Sequence, residues 1–155
     1  DEDWNNLKND ACCNYENNPD FDSEYGKLYN WLTVVDKRGL SPIGWHIPSD
    51  NEWQQLIDYL DGKDFSGGTL KETGTSHWKD SNELGTNESG FSALPGGYRL
   101  FEGTFCFLRH SGNWWSSTEF TSTSALCMSL YYGSSRTIRG KENKYCGFSV
   151  RCLRD

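Results

Sequence analysis

Residues Phe91–Thr118 read FSALPGGYRLFEGTFCFLRHSGNWWSST. Phe91, Leu94, Tyr98, Leu100, Phe101, Phe105, Phe107, Trp114 and Trp115 are separated by glycines at 96, 97, 103 and 112. Aromatic runs cut by glycine predict short strands joined by tight turns, because glycine admits the positive φ angles such turns need. In an extended segment the neighbours Trp114 and Trp115 send their rings to opposite sides. One ring can then anchor a core while the other meets a second layer or the surface. The stretch holds no catalytic motif and reads as architecture.

Upstream, Ser49 followed three residues later by Glu52 is a capping box. Trp53, Leu56, Ile57 and Leu60 fall on one helical face, and Gly62 ends the helix. A second helix is expected over Glu24–Val35, from the spacing of Tyr25, Leu28, Tyr29, Trp31, Leu32 and Val35. Lys63–Gly90 is expected to be a long polar loop, with Leu70, Trp78 and Leu84 too far apart for a regular element. Residues 125–132 predict a strand, 133–143 a polar turn, and Phe148–Leu153 a final strand with Phe148, Val150 and Cys152 on one face. Helices followed by short strands and long loops give an α+β fold.

The chain of 155 residues suits one domain spanning residues 1–155. Its formal charge of −7 excludes a basic, phosphate-binding face and therefore nucleic acid as partner. No stretch approaches the roughly 18 apolar residues of a membrane-spanning helix. The opening DEDWNNLKND is polar, so no signal peptide is expected in this chain. Only Trp4, Leu7 and Tyr15 anchor the first two dozen residues. Seven Trp and eight Tyr exceed the usual content of a small core, which predicts exposed aromatics able to bind. Cys12, Cys13, Cys106, Cys127, Cys146 and Cys152 form an even set that favours disulfides and an oxidising compartment. Metal binding would need close ligand pairs, and Cys12-Cys13 are adjacent while His46, His77 and His110 lie far apart.

The ordered segments YGKLYNW, GWHIPSDNEWQQLIDYL, LKETGTSHW, TNESGFSALPGGYR, GNWWSST and GFSVRCLRD closely resemble the Fibrobacter succinogenes major paralogous domain family. The resemblance runs from Tyr25 to Asp155 and more weakly back to Trp4. It implies a C-type-lectin-like fold with two helices, a small twisted antiparallel sheet and a long binding loop region. It also implies a secreted or surface-anchored protein of Bacteroidota or related bacteria. Ser41 stands where members often have Cys, which removes a bridge from that position. Cys106, Cys127 and Cys146 are not family positions. Members carry a further strand-like segment before the point matching the start of this chain. Its absence would leave an unpaired sheet edge, open to a strand from another chain.

Calcium-dependent sugar binding needs six to eight oxygen ligands around the ion. Asp80-Ser81-Asn82-Glu83 and Asn87-Glu88 offer oxygens, but the Glu-Pro-Asn, Gln-Pro-Asp and Trp-Asn-Asp triplets of sugar-binding C-type lectins are absent. No metal and no cofactor is assigned, and the oxygens read as solvated loops. The binding residues expected are Phe120, Tyr131, Tyr132, Ser134, Ser135, Arg136 and Arg139, aromatic and basic groups around one turn of an acidic chain. The family resemblance implies the same C-terminal region, which varies among relatives. Formylglycine-generating enzymes share the lectin-like fold, yet no cysteine here has a clear activating neighbour. His110 has no nucleophile or acid partner, and His46 and His77 read as packing residues beside Trp. The expectation is therefore a non-enzymatic recognition or adhesion module at the cell surface or outside it, for a glycan or protein ligand. The alternative is a self-associating subunit of an extracellular fibre.

Overall fold

A computed structural model of the chain describes every residue except Asp1, Asp80, Ser81 and Glu83. Its first half runs α1 (Glu2–Asn5), β1 (Cys12–Cys13), α2 (Asp22–Tyr25), β2 (Leu28–Tyr29), α3 (Trp31–Val34), β3 (Trp45–His46), α4 (Asp50–Tyr59) and α5 (Ser66–Leu70). Strands follow: β4 (Tyr98–Arg99), β5 (Phe105–Cys106), β6 (Ser111–Glu119), β7 (Ser124–Tyr131), β8 (Thr137–Asn143) and β9 (Leu153–Arg154). The fold is mixed helix and sheet, with a three-stranded antiparallel sheet ordered β6-β7-β8 and three two-stranded ribbons: β1-β2, β3-β9 and β4-β5.

Strand β6 divides the interior. Trp114 and Trp115 do face opposite ways, as the extended chain requires. Trp115 joins Trp31, Val34, Cys127, Cys146 and Phe148 in one core. Trp114 joins Trp53, Leu70, Trp78, Met128 and Leu130 in the other. Helix α3 serves the first core and α4 the second. The Ser49 cap forms as expected: the Glu52 amide donates to Ser49 Oγ at 3.3 Å, and the Ser49 amide to Glu52 Oε2 at 2.8 Å. Trp53 and Ile57 are buried on the inner face of α4, and Leu56 and Leu60 pack beside them.

Six of the seven tryptophans are buried, so the aromatic excess lies inside more than expected. Size alone does not explain this. The indole N–H groups of Trp4, Trp31, Trp53, Trp78 and Trp115 donate to the carbonyls of Tyr145, Ser116, Trp115, Ala93 and Tyr29. Each ring thus brings an apolar body into the core and gives a backbone carbonyl a donor.

Four expected elements differ. The helix over Glu24–Val35 is broken into α2, β2 and α3. Gly26 takes φ 73°, and Asn30 is extended and caps α3 through its side chain. Between them Leu28 and Tyr29 pair with Cys13 and Cys12. The Lys63–Gly90 loop contains α5, which is rich in glycine because it lies against backbone. A Cβ at Gly67 would come within 2.7 Å of the Ser135 and Arg136 carbonyl oxygens. The polar turn at 133–143 is mostly strand β8, an edge strand whose charged side chains reach solvent. The final strand is not continuous from 148. Phe148, Val150 and Cys152 keep their common face against the first core, while only isolated bridges form until β9 pairs with β3.

None of the disulfides expected from the sequence is formed in the structure. All six cysteines are free thiols. Cys12 and Cys13, adjacent on a strand, point to opposite faces. Cys127 and Cys146 are absorbed into the first core as small apolar groups, with Cys152 packed at its edge. Burial pushes the Cys127 and Cys146 thiols up to about 12. His46 and His77 lie between carboxylates: His46 between Glu52 and Asp155, and His77 between Glu72 and Glu24, with the His77 ring also edge-on to Tyr25 at 5.8 Å.

Candidate functional site

The seven residues expected to form one face fall into separate groups. Phe120 lies at the β6–β7 turn, half-exposed, with the Lys141 ammonium 4.3 Å above its ring. Tyr131, Tyr132, Ser134, Ser135 and Arg136 lie at the β7–β8 turn. The two ends of that ladder, Leu130 opposite Thr137 and Ser124 opposite Asn143, are about 20 Å apart at the usual strand rise. Arg139 turns onto α4 and binds Asp50 and Gln54. Arg136 pairs with Asp64, and Ser135 Oγ donates to the Asp64 carbonyl. Of the oxygen-rich tetrapeptide at 80–83, only Asn82 is described; its amide donates to the Glu72 and Gly74 carbonyls. Asp80, Ser81 and Glu83 lie outside the described residues. Among the described residues, no group of three or more His, Cys, Asp or Glu side chains is placed to hold a metal ion.

The β7–β8 turn is fixed from beneath. Lys71 is fully buried, and its ammonium donates to the carbonyls of Tyr131, Tyr132 and Ser134 at 3.1, 3.0 and 2.9 Å. It also lies 5.3 Å from the centroid of the Trp78 ring. Burial pulls its pKa down to about 8, while the three carbonyl bonds and the ring favour keeping the charge.

Beside this turn runs a row of aromatic rings. Tyr98 packs edge-on against Phe148 of the first core, with centroids 5.6 Å apart. Phe107 stacks on Tyr98 at 5.8 Å with planes within 11°. His110 meets Phe107 edge-on at 6.3 Å and Tyr132 at 5.3 Å. Phe107 is 52% exposed and Tyr131 37%. A shallow depression of about 360 Å³ opens along the row, lined by Tyr15, Cys106, Phe107, Leu108 and His110.

The loop carrying Phe107 holds a costly backbone. Phe107 and Arg109 take φ 61° and 64°, a region bulky side chains avoid. Surrounding bonds over-determine it. The Ser111 and His110 amides donate to the Phe107 carbonyl, the Arg109 amide to Pro95, and the Lys79 amide to Arg109. Gly97 lets the loop approach: at φ 62°, a Cβ there would sit 2.5 Å from the Cys106 carbonyl oxygen.

Reading from the sequence found Tyr131 and Tyr132 but placed Tyr98 and Phe107 in the framework. The alternation Phe105-x-Phe107 before Arg109-His110 was the available signal. A left-handed φ at Phe107 has no sequence signature, because glycine and asparagine are its usual bearers.

Among the described residues, no helix is long and apolar enough to cross a membrane. No curated protein and no solved structure matches the chain. The model of one family, described as the Fibrobacter succinogenes major domain, matches residues 1–154. The chain belongs to the Fibrobacter succinogenes major domain family.

Proposed function

We propose that this is a recognition module with a C-type-lectin-like fold, working outside the cell or on its outer surface, and binding without catalysis. The observation carrying the reading is Phe107: a strained backbone, held by its neighbours, presents a half-exposed ring stacked on Tyr98. Strain of this kind concentrates where a side chain must be displayed. Rigid aromatics contribute contact area at small entropic cost. The ligand face of this reading is the row Tyr98, Phe107, His110 and Tyr132 with Tyr131 beside it, so it keeps two of the residues expected from sequence. Burial holds Cys13, Cys106, Cys127, Cys146 and Cys152 above the usual thiol range, which supports binding over thiol chemistry.

A second reading, a subunit of an extracellular fibre, is favoured by one feature. Strand β8 is the edge of its sheet and carries Ile138 47% exposed. Arrays of immobilised glycans and proteins, probed with the chain in calcium and in EDTA, separate the two when paired with light scattering. A ligand retained by a monomer and lost when Phe107 is replaced supports recognition. Concentration-dependent polymers, with no ligand that depends on Phe107, would replace it with the fibre.

A further inference from the structure

The depression beside Phe107 has a chemistry that selects among ligands. The Phe107 ring is its apolar wall, displayed at 52% exposure. His110 Nδ1 donates to the Leu108 carbonyl at 2.8 Å, so the neutral ring leaves Nε2 as an acceptor. Tyr15 lines the depression with only 6% of its surface exposed, its hydroxyl against the Leu108 amide. Tyr15 itself is wedged between Phe21 and Phe105, with centroids at 5.9 and 5.2 Å. Among the described residues, no carboxylate, ammonium or guanidinium lines the depression. One aromatic face, one acceptor and one donor, all pre-positioned, complement a ring with C–H bonds on one side and hydroxyls on its edge.

The surroundings bear on charge. Burial first, and then negative charge nearby, raises the pKa of Tyr15, Cys106 and Tyr98; the carboxylates concerned are Glu16, Glu102 and Glu142. On the other side the Arg109 guanidinium is turned to the Thr75 and His77 carbonyls, and the Lys79 ammonium sits 5.8 Å from the Tyr132 centroid. An anion entering beside Phe107 would meet the field of a chain of net charge −7.

We infer that this depression binds an uncharged sugar ring, the pyranose of a neutral glycan, stacked on Phe107 with hydroxyls on His110 Nε2 and Tyr15 Oη. The inference rests on the aromatic row being the ligand face and adds the class of ligand. It calls for no metal ion, so binding persists in EDTA.

The test uses the whole chain and titration calorimetry with cellohexaose, mannohexaose, laminarihexaose and hexagalacturonate, in EDTA. Phe107→Gly is the variant of choice, since glycine accepts φ 61° and folding is not at risk. Tyr59→Ala, at a residue 84% exposed on α4, is the control. At least one neutral hexaose is expected to bind, with affinity falling about tenfold in Phe107→Gly from the lost stacking surface. His110→Gln is expected to weaken it less, and Tyr59→Ala not at all. Preference for hexagalacturonate, or neutral binding indifferent to Phe107, would overturn the inference. A displayed-peptide selection on the same protein runs alongside. Peptides that need Phe107, with no hexaose bound, would overturn the sugar assignment and keep the recognition reading. No Phe107-dependent ligand in either arm would overturn both.

Discussion

Trp115 lies against Phe148 with ring centroids 4.5 Å apart and planes within 26°. Its indole N–H also donates to the Tyr29 carbonyl at 2.8 Å. One side chain therefore joins the central strand, the last third of the chain and the N-terminal ribbon. Trp115→Phe keeps the stack and removes one of two donors on the Tyr29 carbonyl, which still accepts from the Phe148 amide, an expected loss of about 0.5–1.5 kcal/mol. Phe148→Ala removes the stack and opens a cavity, an expected loss of about 3–5 kcal/mol. Urea unfolding followed by fluorescence measures both, and equal losses would contradict the division of roles.

Lys71 holds the β7–β8 turn through three carbonyls. Lys71→Met keeps the stem and takes the donor from the Tyr132 and Ser134 carbonyls, while the Tyr131 carbonyl keeps the Ser134 amide, with an expected cost on the order of 3 kcal/mol. Amide hydrogen exchange is expected to rise at residues 131–136 more than in β6. Uniform exchange changes would mean that the lysine stabilises the whole fold and not this turn.

Phe107 carries strain that glycine would relieve. Release of roughly 1 kcal/mol of backbone strain in Phe107→Gly offsets the lost contact with Tyr98. The variant is therefore expected to melt close to the parent. A large drop in melting temperature would make Phe107 a packing residue.

The buried thiols set an alkaline limit. Cys127 and Cys146 keep their protons in the folded chain up to about 12, against an ordinary value of 9.0. The unfolded chain ionises first, so this contribution is complete below pH 9 and is lost as pH rises toward 12. The double variant Cys127→Ala, Cys146→Ala is expected to lose stability less steeply between pH 8.5 and about 10.5. In the parent, a thiol reagent should modify exposed Cys12 first and these two only on unfolding.

His46 works in the same direction, lower on the pH scale. Hydrogen bonds donated to Asp155 and then Glu52 raise its pKa above 6.5. The folded chain holds the proton more tightly, so the stabilisation is full below pH 6.5 and fades as pH rises through the raised value. Melting temperatures of the parent and His46→Gln are expected to differ at pH 5.5 and to converge by pH 8.5.

Local chemistry made much of this legible. The Ser49–Glu52 box, the apolar face of α4 and the opposed tryptophans each depend on residues within a few positions of one another. What was misread depends on distant partners. Leu28 and Tyr29 have helical spacing, but Cys12 and Cys13 claim them as a strand. The Gly67-Gly68 pair reads as a loop until the turn at 135–136 is laid against it. For the site, Tyr131 and Tyr132 were visible as a polar-aromatic turn. Phe107 was not, since its meaning lies in a dihedral angle and a neighbouring ring.

The segment after Asn143 threads every layer. Lys144 accepts from the Trp31 amide, and Tyr145 from the Trp4 indole. Gly147 exchanges amide bonds with Arg99, and Phe148 with Tyr29. Ser149 accepts from Trp115 and donates to Asn113, and Leu153 and Arg154 complete the ribbon with β3. Contacts joining residues so far apart in sequence close slowly, because the loops between them must be ordered first. Until this segment is in place the first core lacks Cys146 and Phe148 and stays open. The order of closure is set by this segment: the second core can pack from residues before it, while the first waits for Cys146 and Phe148.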